Sequence, residues 1–164
     1  MDSGKYEVLN ARLRADDRKA RLLKAADQVS TGIVYFGYIG LVIYCLIKRR
    51  DSLLHVLAVP AAVYLSGSLL RKMINEARPY EVSQVRPLID KDTKGKSFPS
   101  RHVFSSAVIA LAFFYICRPL GLAMAVLALL VAALRVLTGV HWMRDVVFGL
   151  LYGGLIGFLG FFVL

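Results

Sequence analysis

The chain has 164 residues, 57% of them hydrophobic, and a formal net charge of +10. Its length allows one domain, and its mean hydropathy of +0.59 excludes an ordinary soluble protein of this size. The basic residues are interspersed with acidic ones and form no continuous basic stripe, which argues against nucleic-acid binding and favours contact with anionic lipid headgroups. The two cysteines, Cys45 and Cys117, lie in apolar runs and are expected to be free thiols.

Residues 1–30 mix charged side chains with spaced leucines, which predicts an amphipathic helix lying on the membrane surface. The first five or so residues fit disorder equally well. Because the segment is polar for thirty residues, no cleavable signal peptide is predicted.

Five apolar runs follow, and they occupy residues 31–47, 53–70, 103–117, 120–134 and 146–164. A transmembrane helix needs ~20 residues, and flanking residues can extend the shorter runs to the membrane interface. A soluble helical core would need polar helix faces, which these runs lack. The predicted fold is therefore all-α. It is a membrane bundle of about five transmembrane helices over residues 31–164, preceded by the interfacial segment 1–30.

The connections and the last span also carry information. Residues 79–99 form the one long loop, and loops of this length are usually functional or disordered. In the last span Gly149, Gly153 and Gly157 recur at a spacing of four, which lets helix backbones approach closely in lipid. The alanine-rich fourth span offers a matching smooth surface, and both features predict a compact bundle.

Three polar clusters lie at the ends of these apolar spans. Arginine and histidine side chains are energetically costly beside hydrocarbon, so their presence there suggests a functional role. They are Arg71-x6-Arg78-Pro79, Pro99-Ser100-Arg101-His102 and Arg135-x5-His141-x3-Asp145. The first ends span two, the second begins span three, and the third joins spans four and five. An up-and-down bundle therefore places all three clusters on the same membrane face.

The residue types in the clusters point to chemistry on phosphate. Ser100 precedes a predicted helix, whose N-terminus attracts anions. His141 and Asp145 are four residues apart, so they are predicted to share a helix face, where the carboxylate can hold one tautomer of the imidazole. Arginine binds phosphate oxygens in a bidentate manner.

Each cluster alone also has a simpler interpretation. Ser100 can be a plain helix cap, His141 and Asp145 a surface pair, and the arginines can extend to lipid headgroups. A zinc site formed by His102, His141 and Asp145 is the competing specific interpretation. The arginines argue against zinc, because guanidinium groups repel a cation and stabilise a phosphoryl group.

Together the clusters resemble the type 2 phosphatidic acid phosphatase family, whose signature is Lys-x6-Arg-Pro, Pro-Ser-Gly-His and Ser-Arg-x5-His-x3-Asp. The resemblance covers about residues 71–145. It implies that His141 is the nucleophile and forms a phosphohistidine, that Asp145 orients it, and that His102 is the general acid. It also implies a phosphate cradle formed by Arg71, Arg78, Ser100, Arg135 and the amide of Arg101. No cofactor and no metal are expected.

Three positions depart from the family signature. Arg71 stands where the family has lysine, and the neighbouring Lys72 could share its role. Arg101 replaces glycine, so its amide can still bind phosphate while its side chain narrows the site or adds charge to it. Leu134 replaces the serine before Arg135, which removes one hydroxyl contact. None of these changes removes a residue that makes or breaks bonds, so an active enzyme is expected.

The resemblance implies an integral membrane lipid phosphatase whose substrate enters laterally from the bilayer. Expected substrates are undecaprenyl pyrophosphate, phosphatidylglycerol phosphate, phosphatidate or another polyprenyl phosphate. Two alternatives remain: phosphotransfer to an acceptor other than water, and a non-enzymatic membrane module that binds lipid headgroups. The oligomeric state is not predicted.

The expected location is the bacterial plasma membrane. If residues 48–50 and Arg118 are cytoplasmic, the clusters face outward, as the resemblance to outward-facing polyprenyl pyrophosphatases implies. The positive-inside rule favours the opposite orientation, because the face with the clusters holds more lysine and arginine. Several of those charges have expected functional roles, so an extracytoplasmic site is still expected.

Overall fold

The structure is a computed structural model that describes residues 3–83, 85–89 and 93–164. Within these ranges the chain forms helices and no strands. The helices are α1 (Ser3–Ala15), α2 (Asp17–Lys48), α3 (Arg50–Ile74), α4 (Pro79–Val82), α5 (Arg101–Ile116), α6 (Arg118–Leu137) and α7 (Met143–Phe162). The all-α prediction is confirmed. The long loop contains the short helix α4, and residues 90–92 of its charged stretch lie outside the described ranges.

The long helices have the length and composition of membrane spans. In the described part of the chain, α2, α3, α6 and α7 are long and apolar enough to cross a bilayer, and α5 is apolar but has only 16 residues. Large hydrophobic side chains on their outer faces are exposed, as a lipid-facing surface requires; Phe36 is 77% exposed and Leu54 is 72% exposed. The predicted membrane helix bundle is confirmed, with α5 as its shortest member.

The N-terminal region is divided differently from the prediction. Asp16 ends α1 and caps α2, because its carboxylate accepts hydrogen bonds from the amides of Arg18 and Lys19 at 3.1 and 3.0 Å. The helix α2 then continues through residue 30 without a break. For the first five or so residues, disorder was an equally good prediction. The chain is helical from Ser3 onward, and residues 1 and 2 lie outside the described ranges. The placement of residues 1–30 on the membrane surface stays a prediction.

Helix α1 is anchored under the junction of α6 and α7. The side chain of Tyr6 is buried, and its hydroxyl donates to the carbonyl oxygens of Val136 at 2.8 Å and His141 at 3.1 Å. Its ring packs against Trp142 with centroids 5.5 Å apart. Burial raises the pKa of Tyr6 far above its usual range, chiefly through desolvation, and the charge of Asp145 raises it further. This helix therefore positions the segment that carries His141.

Helix α5 lies at the centre of the bundle, between α3, α6 and α7. A Cβ atom at Gly153 would lie 2.3 Å from the carbonyl oxygen of Phe104, so α5 and α7 are in backbone contact at this point. Gly149 and Gly157 also face α5. The glycine stripe of α7 thus packs on α5, and the alanine-rich α6 is not its partner. This close approach places the N-terminus of α5 next to the N-terminus of α7.

Candidate functional site

A basic cavity of about 420 Å³ opens at the ends of α3, α5 and α6. Its lining consists of Ser68, Arg71, Lys72, Arg78, Thr93, Lys94, Gly95, Lys96, Arg101, His102, Arg135, Val140 and His141. Seven of these described residues are lysine or arginine, and none of them is a carboxylate. A cationic lining that contains no carboxylate attracts an anion into the cavity.

The structure brings the three predicted clusters together here. His141, His102, Arg71, Arg78 and Arg135 line the cavity. Two further predicted residues, Arg101 and Lys72, line it as well. The remaining two, Ser100 and Asp145, are fully buried and do not line it. They lie behind the lining rather than in it.

His141 and Asp145 form a buried pair, with 3.3 Å between Nδ1 and Oδ2. They do not share a helix face, so that prediction was wrong in detail. Asp145 caps α7 by accepting a hydrogen bond from the amide of Trp142 at 3.2 Å, which starts the helix at Met143 and leaves His141 in the preceding turn. Donation from Nδ1 to Asp145 leaves the lone pair on Nε2 of His141.

The turn before α7 requires a glycine at position 139. Gly139 has a φ of +78°, and a Cβ atom there would lie 2.9 Å from Asn10 Nδ2 and 3.1 Å from Val85 Cγ1. The positive φ strains any residue other than glycine, and a side chain would also have to displace Asn10 and Val85. Helix α1 and the long loop therefore pack closely against the turn that contains His141.

The protonation of His141 follows from its burial. Desolvation is the main cause that lowers the pKa of His141 to about 4. The positive charges of Arg78 and Arg71 act in the same direction, and the hydrogen bond and charge of Asp145 oppose them. The imidazole is therefore neutral at neutral pH. A neutral imidazole beside cationic walls can act as a nucleophile toward a bound anion.

Ser97 belongs to the site although nothing in the sequence singled it out. It is fully buried, its hydroxyl donates to Asp145 Oδ2 at 2.5 Å, and it lies 3.4 Å from His141 Nδ1. A hydrogen bond to a buried carboxylate fixes the direction of that carboxylate. Ser97 therefore helps to hold Asp145 in the position that pairs with His141.

Arg71 and Arg78 hold the long loop over the cavity. Arg71 donates to the carbonyl oxygen of Ser97 at 3.2 Å and also to that of Pro99. Arg78 donates from Nε to the carbonyl oxygen of Gly95 at 3.1 Å. Both arginines are buried, and within the described ranges neither forms an ion pair with a carboxylate. Their charges thus remain available to an anion in the cavity.

Arg135 differs from the other two arginines because a carboxylate supports it. Its Nε lies 3.1 Å from Oδ1 of Asp27, and its side chain also donates to the hydroxyl of Thr31 at 3.1 Å. Both charged side chains are buried, at 5% and 3% exposure. Asp27 lies in the part of the chain that the sequence assigned to the membrane surface, and no spacing rule connects it to Arg135.

Replacing Asp27 by asparagine is expected to destabilise the protein. Removing one member of a buried ion pair leaves the other charge uncompensated, which costs about 3–5 kcal/mol. Unfolding of the purified protein in detergent measures this loss. Asp17→Asn on the same helix is the matched control, because Asp17 is exposed and its loss should cost less than about 1 kcal/mol. Equal stability of the two variants would contradict the importance of the Asp27–Arg135 pair.

Ser100 occupies the N-cap position of α5 but does not cap the helix with its side chain. Its amide donates to the carbonyl oxygen of Asp145 at 3.0 Å. Its hydroxyl is buried and has no hydrogen-bond partner in the described part of the chain. Buried polar atoms are normally paired, so this unpaired hydroxyl is an exception that a structural role alone does not explain. The plain helix cap considered for Ser100 is therefore not what the structure shows.

The alternative zinc site would combine His102, His141 and Asp145. Among the described residues, no three histidine, cysteine, aspartate or glutamate side chains come close enough to share a metal ion. Two of the three candidate ligands, His141 and Asp145, are instead paired with each other.

Comparison with known proteins identifies related sequences and structures. The sequence profile of the PAP2 superfamily matches residues 52–163. The bacitracin transport permease protein BcrC of Bacillus licheniformis is 30% identical over 125 residues, which are 74% of this chain and 61% of that protein. The chain thus spans 61% of the length of this curated relative.

Two solved structures share the fold. LpxE of Aquifex aeolicus superimposes with a TM-score of 0.75 at 20% identity, covering 96% of this chain and 92% of that one. A transmembrane PAP2 type phosphatidylglycerolphosphate phosphatase of Bacillus subtilis superimposes with a TM-score of 0.63 at 26% identity, covering 94% and 90%. The first likeness shows the arrangement of helices alone, and the second adds sequence similarity to the same arrangement.

Proposed function

Because the chain belongs to the PAP2 superfamily, we propose that it is an integral membrane phosphatase that hydrolyses a phosphomonoester or pyrophosphate of a lipid through a phosphohistidine intermediate. The observation that carries this proposal is the basic cavity, whose lining contains the neutral His141 and seven lysine and arginine residues beside the ends of membrane helices. The name of the related phosphatidylglycerolphosphate phosphatase supports a lipid phosphate as the substrate.

The terminal phosphate of the substrate binds between the three buried arginines. Arg71, Arg78 and Arg135 line one cavity, and guanidinium groups match the geometry of phosphate oxygens. The amide of Arg101 lies in the first turn of α5, where the helix dipole also favours negative charge. We also assign to this cradle the hydroxyl of Ser100, which is buried behind the cavity lining and is unpaired in the described part of the chain. These groups stabilise the charge that spreads over the phosphoryl oxygens during transfer.

The first chemical step transfers the phosphoryl group to the enzyme. Nε2 of His141 attacks phosphorus, the bond between phosphorus and the leaving oxygen breaks, and His102 donates a proton to that oxygen. Asp145 stabilises the positive charge that develops on the imidazole and keeps Nδ1 as the donor. The dephosphorylated lipid leaves, and a phosphohistidine remains.

The second step returns the enzyme to its starting state. Water attacks phosphorus, His102 accepts the proton of that water, and the phosphorus–nitrogen bond breaks. Inorganic phosphate and a neutral His141 result. No step uses a metal ion or a cofactor, because the arginines supply the positive charge and the two histidines move the protons.

The lipid chain occupies an apolar groove beside the cavity. The groove has a volume of about 460 Å³ and lies between α2, α3 and α5, where its lining includes Tyr35, Pro60, Tyr64 and Ile109. A substrate whose phosphate lies in the cavity can keep its chain in this groove and in the bilayer. Candidate lipids are undecaprenyl pyrophosphate, phosphatidylglycerol phosphate and phosphatidate.

The proposed location is the bacterial plasma membrane, with the cavity on the extracytoplasmic face. The loop that covers the cavity then lies outside the cell. Labelling of a cysteine placed at position 94 with a membrane-impermeant reagent tests this orientation in intact cells, and protection of that cysteine until the cells are lysed would contradict it.

A panel of lipid phosphates in detergent tests the proposed function. We expect the purified protein to release phosphate from at least one of them, and we expect excess EDTA to change the rate by less than about twofold, because no step of the mechanism involves a metal. Addition of Mg²⁺ or Zn²⁺ after EDTA is the control. Release that EDTA stops and a metal restores would contradict the metal-free mechanism, and no release from any lipid phosphate would contradict the phosphatase.

A further inference from the structure

Arg101 stands where the type 2 phosphatidic acid phosphatase signature has glycine, so its side chain is a feature of this chain rather than of the signature. The guanidinium lies over the ring of Tyr64, 5.9 Å from its centroid, and Nη1 donates to the Tyr64 hydroxyl at 3.4 Å. Tyr64 belongs to α3, so the side chain reaches from the start of α5 across to the neighbouring helix. The contact with an aromatic face holds a cation in place without neutralising it.

The pair of Arg101 and Tyr64 lies where the cavity and the groove meet. Arg101 lines the basic cavity, and Tyr64 lines the apolar groove. A lipid whose terminal phosphate lies between the buried arginines and whose chain lies in the groove must pass this pair. The part of the substrate that lies beside Arg101 and Tyr64 is therefore the group between the breaking bond and the lipid chain.

The charge of the cavity exceeds what one phosphate needs. A phosphate monoester carries about two negative charges at neutral pH. The buried Arg71, Arg78 and Arg135 carry three positive charges, of which Asp27 neutralises the one on Arg135, so the remaining two already balance this phosphate. Arg101 adds a further exposed guanidinium on the groove side. A second anionic group on the substrate would match this surplus.

We propose that Arg101 binds the internal phosphate of a lipid diphosphate and makes the enzyme prefer lipid diphosphates to lipid monophosphates. This proposal rests on the phosphatase function proposed above. In a lipid diphosphate the bond between the terminal phosphorus and the bridging oxygen breaks, and the leaving group is the lipid monophosphate. The electron pair of that bond stays on the bridging oxygen. Arg101 binds the oxygens of the internal phosphate and so stabilises this charge.

The test compares two substrates that differ only in the internal phosphate, a polyprenyl diphosphate and the monophosphate with the same chain. For Arg101→Gln we expect kcat/KM for the diphosphate to fall on the order of 10- to 100-fold, which is the usual effect of losing a charged hydrogen-bond partner. For the monophosphate we expect a clearly smaller loss, because Arg101→Gln keeps the backbone amide that binds the attacked phosphate and removes only the guanidinium. Arg118→Gln is the matched control, because Arg118 is exposed at the start of α6, at the opposite end of the bundle.

Two further variants keep the test decisive. Arg101→Lys retains the positive charge but loses the planar guanidinium that can bind two phosphate oxygens at once. We expect this variant to keep part of the preference for the diphosphate. Tyr64→Phe removes the hydroxyl that holds Arg101 and should reduce the preference by a smaller factor.

An equal loss with both substrates would overturn the proposal, because Arg101 would then serve the phosphate that is attacked. No change with either substrate would overturn it as well. A selective loss with phosphatidylglycerol phosphate, whose second phosphate lies one glycerol further from the breaking bond, would also overturn it. In each of these cases the wild type still releases phosphate, whereas a wild type inactive on every substrate contradicts the proposed function itself.

Discussion

His141→Ala is expected to lower kcat for phosphate release by a factor on the order of 10⁴ or more, because the mechanism cannot proceed without its nucleophile. The imidazole is buried, and its neutral state at neutral pH depends on that burial. Phosphate release from the best lipid substrate in detergent measures the effect. Thermal unfolding of the variant checks the fold, and His141→Asn offers a polar replacement if the alanine variant is unstable. Release at the wild-type rate from a folded variant would contradict the assignment.

A comparison with His102→Ala separates the nucleophile from the acid. With a radiolabelled aryl phosphate, whose leaving group needs little protonation, His102→Ala should still form the phosphohistidine. It should hydrolyse that intermediate slowly, because the attacking water has lost its base. An alkaline quench is then expected to trap labelled His102→Ala protein and to trap none of His141→Ala. Label on the His141→Ala protein would show that another residue is the nucleophile.

The three clusters could be predicted from the sequence because charged residues beside hydrocarbon are costly and therefore stand out. Counting the apolar runs was enough to place the clusters on one face, and the cavity brings Arg71, His102 and His141 together as expected. The all-helical bundle could be predicted for the same reason, since long apolar runs in a membrane leave little choice except helices.

The supporting residues could not be predicted, because their partners are distant in the sequence and their types are ordinary. Ser97 and Asp145 are 48 positions apart, and Tyr6 is 135 positions from His141, whose carbonyl it holds. Asp27 lies before the first apolar run and looks like one more surface charge. The glycines of α7 reveal which face packs closely, but only the fold shows that this face meets α5. Spacing rules describe one helix at a time, whereas these contacts depend on how helices are arranged.

Asp145→Asn is expected to lower kcat/KM by a factor on the order of 10³–10⁴ and to extend activity to lower pH. The rate falls because asparagine neither fixes the tautomer of His141 nor stabilises the charge that develops on it. The pH effect follows from the pKa of His141. This pKa is about 4 because desolvation outweighs the hydrogen bond and the charge of Asp145, both of which raise it.

The direction of the shift distinguishes this role from simple destabilisation. Wild-type activity should fall as the pH falls through about 4, where His141 takes up a proton. Without the carboxylate the protonated imidazole is less favoured, so the acidic limb of the variant's pH–rate profile should move to lower pH. Ionisation of the substrate cannot cause this difference, because both enzymes act on the same substrate. Ser97→Ala is the matched control, because it removes one hydrogen bond to Asp145 but keeps the carboxylate. It should cost about tenfold in kcat/KM and leave the limb near its wild-type position. If the acidic limb of Asp145→Asn moved to higher pH, the variant would instead be unfolding in acid. The folded protein keeps His141 neutral down to a pKa of about 4, whereas the unfolded chain protonates it at its ordinary pKa of about 6.5. The folded state therefore loses stability as the pH falls from about 6.5 toward 4.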